Sequence, residues 1–313
     1  MLAPMLAARA ACQGWLFTAA QAREAGYPLA EQRQILRRGD WVRLRRGIFS
    51  ERERWDLIEA DPVARHTAAC RAALMAMTGG GWVSHSSAAA LLGVPMLNAL
   101  PSDVHLTRPG SGRHPAPGVR MHFAPVPPGH QQVRAGLALT SLTRTMFDLS
   151  RTASLDSAVV GLDHVLHHQM ATRRDLQNVV DECARWPGHA RAVRALSLAD
   201  ALAESPGETL SRMRIAESGL PQPELQVVLS LSGLIVRVDF YWRDLRVVGE
   251  FDGAIKYSTR RDLVREKQRD DRLREHGYVP ARWGWADVVG DSAVMIERIR
   301  RAMQTADRMR LAS

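Results

Sequence analysis

The stretch from Ser205 to Trp283 constrains the fold more tightly than any other part of the chain. Ser205-Pro206-Gly207 reads as a helix start, and the helix it opens covers residues 207–218. Three apolar, β-rich runs follow at residues 225–231, 234–242 and 246–251. A helical stretch over 261–276 then separates them from a fourth run at 279–283, and a basic amphipathic helix runs from 291 to about 309. Three strands joined by tight turns form an antiparallel meander. A fourth strand that returns through a helix adds to it as a mixed sheet.

At 313 residues the chain is longer than one core usually serves, so two or three domains are expected. Composition shifts divide it at 1–58, 59–203 and 204–313. The net charge is +9, and more than half of it lies in the first fifty residues, where eight arginines face only Glu24, Glu31 and Asp40. Concentrated basic charge points to an anionic partner, with duplex DNA ahead of a membrane surface. Cys12, Cys70 and Cys183 fit neither a disulfide framework nor a zinc site, which suits a reducing cytoplasm. The longest uncharged stretch, 72–102, contains three successive glycines, Ser84-His85-Ser86-Ser87 and Pro95, so it reads as globular interior and not as a membrane span.

In the first segment Thr18 caps a short helix that Gly26 ends, and Pro28 precedes a second helix over 29–38 stopped by Gly39. Ile35 and Leu36 fall on its inner side, leaving Arg33, Arg37 and Arg38 outside. Residues 40–44 alternate as a strand, and 45–49 turn back. Helix, turn, basic helix and basic hairpin is the layout of a winged helix-turn-helix, with Arg43, Arg45 and Arg46 as phosphate contacts on the wing.

The middle segment offers His164, His167 and His168 at i, i+3 and i+4, but no carboxylate at the next turn, so they read as a polar helix face. Ser84-His85-Ser86 places a hydroxyl beside an imidazole. Sequence neighbours rarely form a nucleophile–base pair, so the expectation is a helix N-cap at Ser86 or Ser87. Arg144 and Asp148, at i and i+4, read as a helical ion pair.

The acids of the last segment stand at strand positions that chemistry can use. Asp239 interrupts Ile235-Val236-Arg237-Val238-Asp239-Phe240, and Glu250 and Asp252 close the next run before Gly253. Carboxylates on neighbouring strands can converge on one hard cation such as Mg²⁺ or Mn²⁺, and Asp239 and Glu250 are the expected metal ligands. Glu208, one turn into the preceding helix, can join them. Lys256 and Lys267 are the only lysines in the chain, both close to these acids in sequence, and Lys267 is the preferred partner for charge developing on a phosphate.

Two resemblances follow from these residues. Phe17-Thr18-Ala19-Ala20-Gln21-Ala22, Gly26 and the run from Leu36 to Phe49 resemble the winged helix of AbiEi-type antitoxins of type IV toxin–antitoxin systems. Ser84 to Gly93, Val104-His105-Leu106-Thr107 and Thr140 to Leu149 continue that likeness. It implies promoter binding and a regulatory role, and it leaves room for a cognate toxin or a second copy of the chain as partner. Glu208, Val238-Asp239-Phe240, Glu250-Phe251-Asp252-Gly253, Glu266 to Arg274, Gly277-Tyr278 and Arg282 resemble the PD-(D/E)xK nucleases, in the branch near very-short-patch-repair endonucleases. That likeness implies a Mg²⁺-dependent DNA endonuclease acting in repair or phage defence. The motif lysine two residues after Glu250 is here Asp252, so another lysine must replace it. The expected fold class is α+β multidomain: a winged helix-turn-helix, an α/β linking domain, and a restriction-endonuclease-like α/β core with a mixed sheet. The rival expectation is a non-catalytic antitoxin-like regulator that binds its own promoter.

Overall fold

The structure is a computed structural model and describes residues 2–97, 100–112, 117–253 and 260–312. Among the described residues it is a mixed α+β protein with three sheets. By contact it divides into two compact units, Met1–Gly161 with Ala171–Ser197, and Leu162–Met170 with Leu198–Ser313. The first unit therefore takes in both the basic N-terminal segment and most of residues 59–203.

The first unit begins with α1 (Pro4–Cys12), β1 (Phe17–Thr18), α2 (Ala19–Glu24), α3 (Leu29–Arg38), β2 (Trp41–Arg45), β3 (Ile48–Glu51) and α4 (Arg52–Glu59). Thr18 caps α2 reciprocally: its Oγ1 accepts from the Gln21 amide at 3.1 Å, and Gln21 Oε1 accepts from the Thr18 amide at 2.8 Å. Gly39 ends α3 in the left-handed region at φ 83°, which a residue with a Cβ adopts only with strain. The antiparallel strands stand in the order β1-β3-β2. Phe17, Trp41 and Phe49 pack with Leu6, Ala10 and Ala22, while Ile35 and Leu36 close over them from α3, as their inner positions required.

The same unit continues through α5 (Pro62–Met75), β4 (Trp82–Val83), α6 (His85–Leu92), β5 (Val104–Arg108), β6 (Val119–Phe123), β7 (Gln131–Arg134), β8 (Leu137–Thr140) and α7 (Leu142–Thr152). Helices α8 (Leu155–His167), α9 (Arg173–Glu182) and α10 (His189–Leu198) follow. The five strands lie in the order β6-β5-β4-β8-β7, with β5 parallel to β6 and β4 parallel to β8. The cap of α6 is Ser84, not Ser86 or Ser87. Ser87 points inward instead, where its Oγ meets His66 Nε2 at 2.9 Å and accepts from the His105 amide at 2.9 Å. Arg144 and Asp148 form the expected i, i+4 pair at 2.9 Å, wholly inside the protein, and Arg151 adds a second contact to Asp148 at 2.9 Å.

In the second unit α11 (Pro206–Glu217), β9 (Glu224–Leu231), β10 (Leu234–Trp242), β11 (Val247–Asp252), α12 (Arg260–Glu275), β12 (Val279–Gly284) and α13 (Ser292–Ala312) follow in the expected order. The sheet order is β12-β11-β10-β9, antiparallel from β9 to β11 and parallel between β11 and β12. Trp283 lies over β11 at Gly249, where a Cβ would come within 2.5 Å of its ring. Gly207 performs the same service for α11, since a Cβ there would sit 2.0 Å from Phe251. These two close approaches draw α11, and with it Glu208, against the strands that carry Asp239 and Glu250.

Candidate functional site

Asp239, inside β10, and Glu250, near the end of β11, lie just past the last residues paired between the two strands. Phe240 pairs with Gly249, so Asp239 and Glu250 stand opposite one another on adjacent strands. Asp239 Oδ2 accepts from the Phe251 amide at 2.9 Å. Glu208 is fixed by the cap of its own helix: Ser205 Oγ donates to Oε1 at 2.7 Å and the Glu204 amide to Oε2 at 2.9 Å. A single side-chain amide spans the first two acids. Gln226 Nε2 donates to Glu208 Oε2 at 2.8 Å and reaches Asp239 Oδ1 at 3.4 Å.

Two arginines meet the other acids. Arg269 grips Glu250 with both arms, Nη2 to Oε1 at 2.6 Å and Nη1 to Oε2 at 3.1 Å, and also donates to the carbonyl of Arg237. Arg282 bridges Asp252 at 3.1 Å and Asp270 at 2.7 Å. Burial pushes Glu250 up to about 7, with the Asp239 charge adding to it and Arg269 and Arg282 pulling the other way. Glu208 is raised by burial as well, again with Asp239 contributing. Burial opposes the charge on Arg282, yet its bond to Asp270 and the fields of Asp270, Asp252 and Glu250 carry it above its ordinary value.

Lys267 stands exposed on α12, and Lys256 lies outside the described residues. The basic side chain on Glu250 thus comes from Arg269, two positions along the helix from Lys267. At about 100° per residue the two are roughly 200° apart around the axis. Sequence reasoning also missed Gln226, which sits in the left-handed region at φ 53° and whose Oε1 is buried without a partner among the described residues.

The acids are oxygen donors of the kind a hard divalent cation takes, and they outnumber the two arginines they face among the described residues, but no three of Glu208, Asp239, Glu250 and Asp252 bring their oxygens within 4.8 Å of one another.

On the first unit, Arg33, Arg37, Arg38, Arg43 and Arg46 are exposed. A groove between α3 and β2 is lined by Arg33, Arg37, Arg43 and Arg52, with Trp41 and Leu36 at its base. Arg45 is differently occupied, donating to the carbonyls of Gly118 at 3.1 Å and Pro117 at 3.5 Å.

A third cluster was not visible in the sequence. His85 at the start of α6, His105 on β5 and His122 on β6 each bring a ring nitrogen within 4.8 Å of the others. The His85 and His122 rings stack at 3.6 Å, and His122 Nε2 meets His105 Nδ1 at 3.1 Å. Spacings of twenty and seventeen residues carry no helical or strand period, and the parallel pairing of β5 with β6 is what brings His105 beside His122. The triplet that the sequence did offer is spent locally. His164 and His168 pack edge to face at 4.2 Å, and His167 Nδ1 donates to the carbonyl of Ala201 at 3.0 Å.

No protein-family model matches the chain. Among solved structures, the Rv2827c protein of Mycobacterium tuberculosis aligns with a TM-score of 0.43 at 16% identity, over 72% of this chain and 88% of that one. Two proteins of M. tuberculosis, uncharacterized protein Rv2248 of strain H37Rv and uncharacterized protein MT2308 of strain CDC 1551, are each 31% identical to it over 243 residues. That match takes in 77% of this chain and 87% of theirs, and the chain belongs to the family that these mycobacterial proteins represent.

Proposed function

We propose that the chain is a DNA-binding protein whose second unit is a PD-(D/E)xK-type, metal-dependent DNA endonuclease. The observation that carries this reading is that Asp239 stands between Glu208, to which Gln226 joins it, and Glu250 on the neighbouring strand. Helix, antiparallel meander, helix and parallel fourth strand is the arrangement that the nuclease resemblance implies. In this reading Asp239 and Glu250 hold Mg²⁺ or Mn²⁺, and Glu208, Asp252 and Gln226 Oε1 complete the oxygen environment. The bound ion supplies Lewis acidity toward the phosphodiester and lowers the pKa of a water. Arg269 and Arg282 keep the acids paired before substrate arrives, and their charge lies where a phosphate would need it. Lys267 is on the same helix and is the candidate for an outer phosphate contact. The first unit supplies the grip: residues 1–58 act as a winged helix, with α3 in the major groove and Arg33, Arg37, Arg38, Arg43 and Arg46 against phosphates. Arg45 braces the hairpin through its bonds to Pro117 and Gly118.

A second reading has an observation of its own. Arg269 engages both oxygens of Glu250, and Asp252 stands where the motif has lysine, which is how a nuclease fold kept for regulation would look. The chain would then be an antitoxin-like repressor that binds its own promoter. Incubating the protein with single-stranded, double-stranded and mismatched DNA plus Mg²⁺ or Mn²⁺ separates the two. Nicking that Asp239→Ala and Glu250→Ala each reduce by more than about 100-fold supports the enzyme, since even second-shell changes at metal sites cost about 10–100-fold. DNA binding by all three proteins with no cleavage overturns it in favour of the repressor.

A further inference from the structure

We propose that His85, His105 and His122 form a binding site for a late divalent transition-metal ion of the zinc class, separate from the carboxylate centre. Three neutral imidazoles are the donor set of zinc, cobalt, nickel and copper, whereas Mg²⁺ takes oxygen ligands. One nitrogen of each ring lies within 4.8 Å of the other two. The 3.1 Å between His122 Nε2 and His105 Nδ1 is close to the spacing of two donors on one tetrahedral ion, about 3.3–3.4 Å for bonds of about 2.0–2.1 Å.

His85 supplies the second and independent observation. It is only 2% exposed, and its Nε2 is buried with no hydrogen-bond partner. The nearest carboxylate oxygen to that nitrogen, Asp148 Oδ1, is 3.9 Å away and already accepts from Arg151. An orphaned polar nitrogen in a protein interior is costly unless something meets it. Ser84 Oγ contacts His85 Nδ1 at 3.0 Å and accepts from Thr107 Oγ1 at 2.7 Å, so the ring is held from the side opposite its bare nitrogen. His85 also takes the left-handed backbone, φ 51°, a conformation that a non-glycine residue holds only where its surroundings enforce it.

The protonation state suits ligation. Burial lowers all three histidines, His85 far below its ordinary range, His105 to about 4 and His122 to about 3, so the rings are neutral at neutral pH, and an ion would take the place of the proton that His105 and His122 share. Asp148, inside the same shell, sets a negative charge against Arg144 and Arg151. His105 and His122 are partly exposed, and a surface pocket lined by Asp103, Val119, Arg120, Met121 and His122 gives an ion its way in. Three protein ligands and an open side leave the fourth position to water, the arrangement of reactive rather than purely structural zinc.

The test is metal uptake by the full chain after stripping with a chelator. Equilibrium dialysis with Zn²⁺, and Co²⁺ titration followed in the visible spectrum, are run on the native protein, on His105→Gln and His122→Gln, and on a His164→Ala/His168→Ala control. The glutamines keep a polar planar group in place, and circular dichroism confirms that the variants fold. The native protein and the control should bind one equivalent of Zn²⁺ that each glutamine variant lacks, with tetrahedral-type Co²⁺ bands that vanish with it, and excess Mg²⁺ should not compete. Uptake unchanged in both glutamine variants, uptake lost in the His164/His168 control, or no stoichiometric uptake by the native protein overturns the site.

Discussion

Buried charge is organised differently in the two units. In the first, Asp148 is met by Arg144 and Arg151 from the same helix, four residues before it and three after. Two arginines share one acid within two turns, Arg144 also donates to the carbonyl of Pro125, and its Nη2 is buried with no partner among the described residues. In the second, the acids of the sheet are met from other elements, Glu250 by Arg269 of α12, Asp252 by Arg282 of β12 and Asp239 by the Phe251 amide of β11, and buried Asp163 of α8 is met by Arg212 of α11. The first arrangement lies wholly within helix α7. The second gathers more acids than arginines among the described residues, and burial, with the Asp239 charge adding to it, lifts Glu250 to about 7, so under the proposed function a cation would offset charge there.

Substitutions can break or sharpen that contrast. The largest effect is expected from Asp148→Ala, which strands two buried guanidinium groups and should lower stability by about 3–5 kcal/mol in urea unfolding. Gly249→Ala should cost about 1–3 kcal/mol by overpacking against Trp283, and it should weaken metal-dependent activity as well because β11 carries Glu250. If it destabilises without touching activity, the sheet and the acid cluster are less coupled than their geometry suggests.

The pH dependence separates the two clusters further. Glu250 binds its proton more tightly folded, at about 7, than unfolded, at an ordinary 4.5. Its contribution to stability is therefore complete below about 4.5 and is lost as pH rises to about 7. Glu250→Gln should flatten the stability curve across that window, as read by thermal melts from pH 4 to 8, and added Mg²⁺ should restore stability to the native protein only at the upper end. The smallest effect belongs to the exposed arginines. Arg33→Ala or Arg37→Ala should each reduce the slope of log affinity against log salt for duplex DNA by about 0.9, leaving stability unchanged.

Much of this architecture is legible from local rules. Thr18, Gly39 and Ser205 punctuate their helices where capping chemistry requires, and the alternation through Val236, Val238 and Phe240 defines β10. Arg144 and Asp148 could be paired because helical spacing is fixed by geometry. Asp239 and Glu250 could be set side by side because a meander brings strand ends together. Partners reached across the sheet were not legible. Choosing between Lys267 and Arg269 depends on the rotation of α12 against β11, which no run of residue types encodes. Ser87 is a good capping residue, but its hydroxyl is claimed by His66 and the His105 amide, a tertiary demand that outweighs local propensity. His105 and His122 met because β5 and β6 run side by side, and His85 joined them from α6.

The parallel pairing of β11 with β12 also bears on how the second unit assembles. Strands β9 to β11 can zip through short turns, whereas β12 closes a loop that contains all of α12, and longer closures cost more entropy before any contact forms. Glu250 stands beside Arg282 in that last register, and Trp283, next along, is the side chain that reaches back to Ser211. The arginine therefore arrives with the slowest contact to form. A nascent chain that ends before β12 presents Glu250 and Asp252 without Arg282, and the polypeptide must leave the ribosome through that residue before Asp252 gains its arginine.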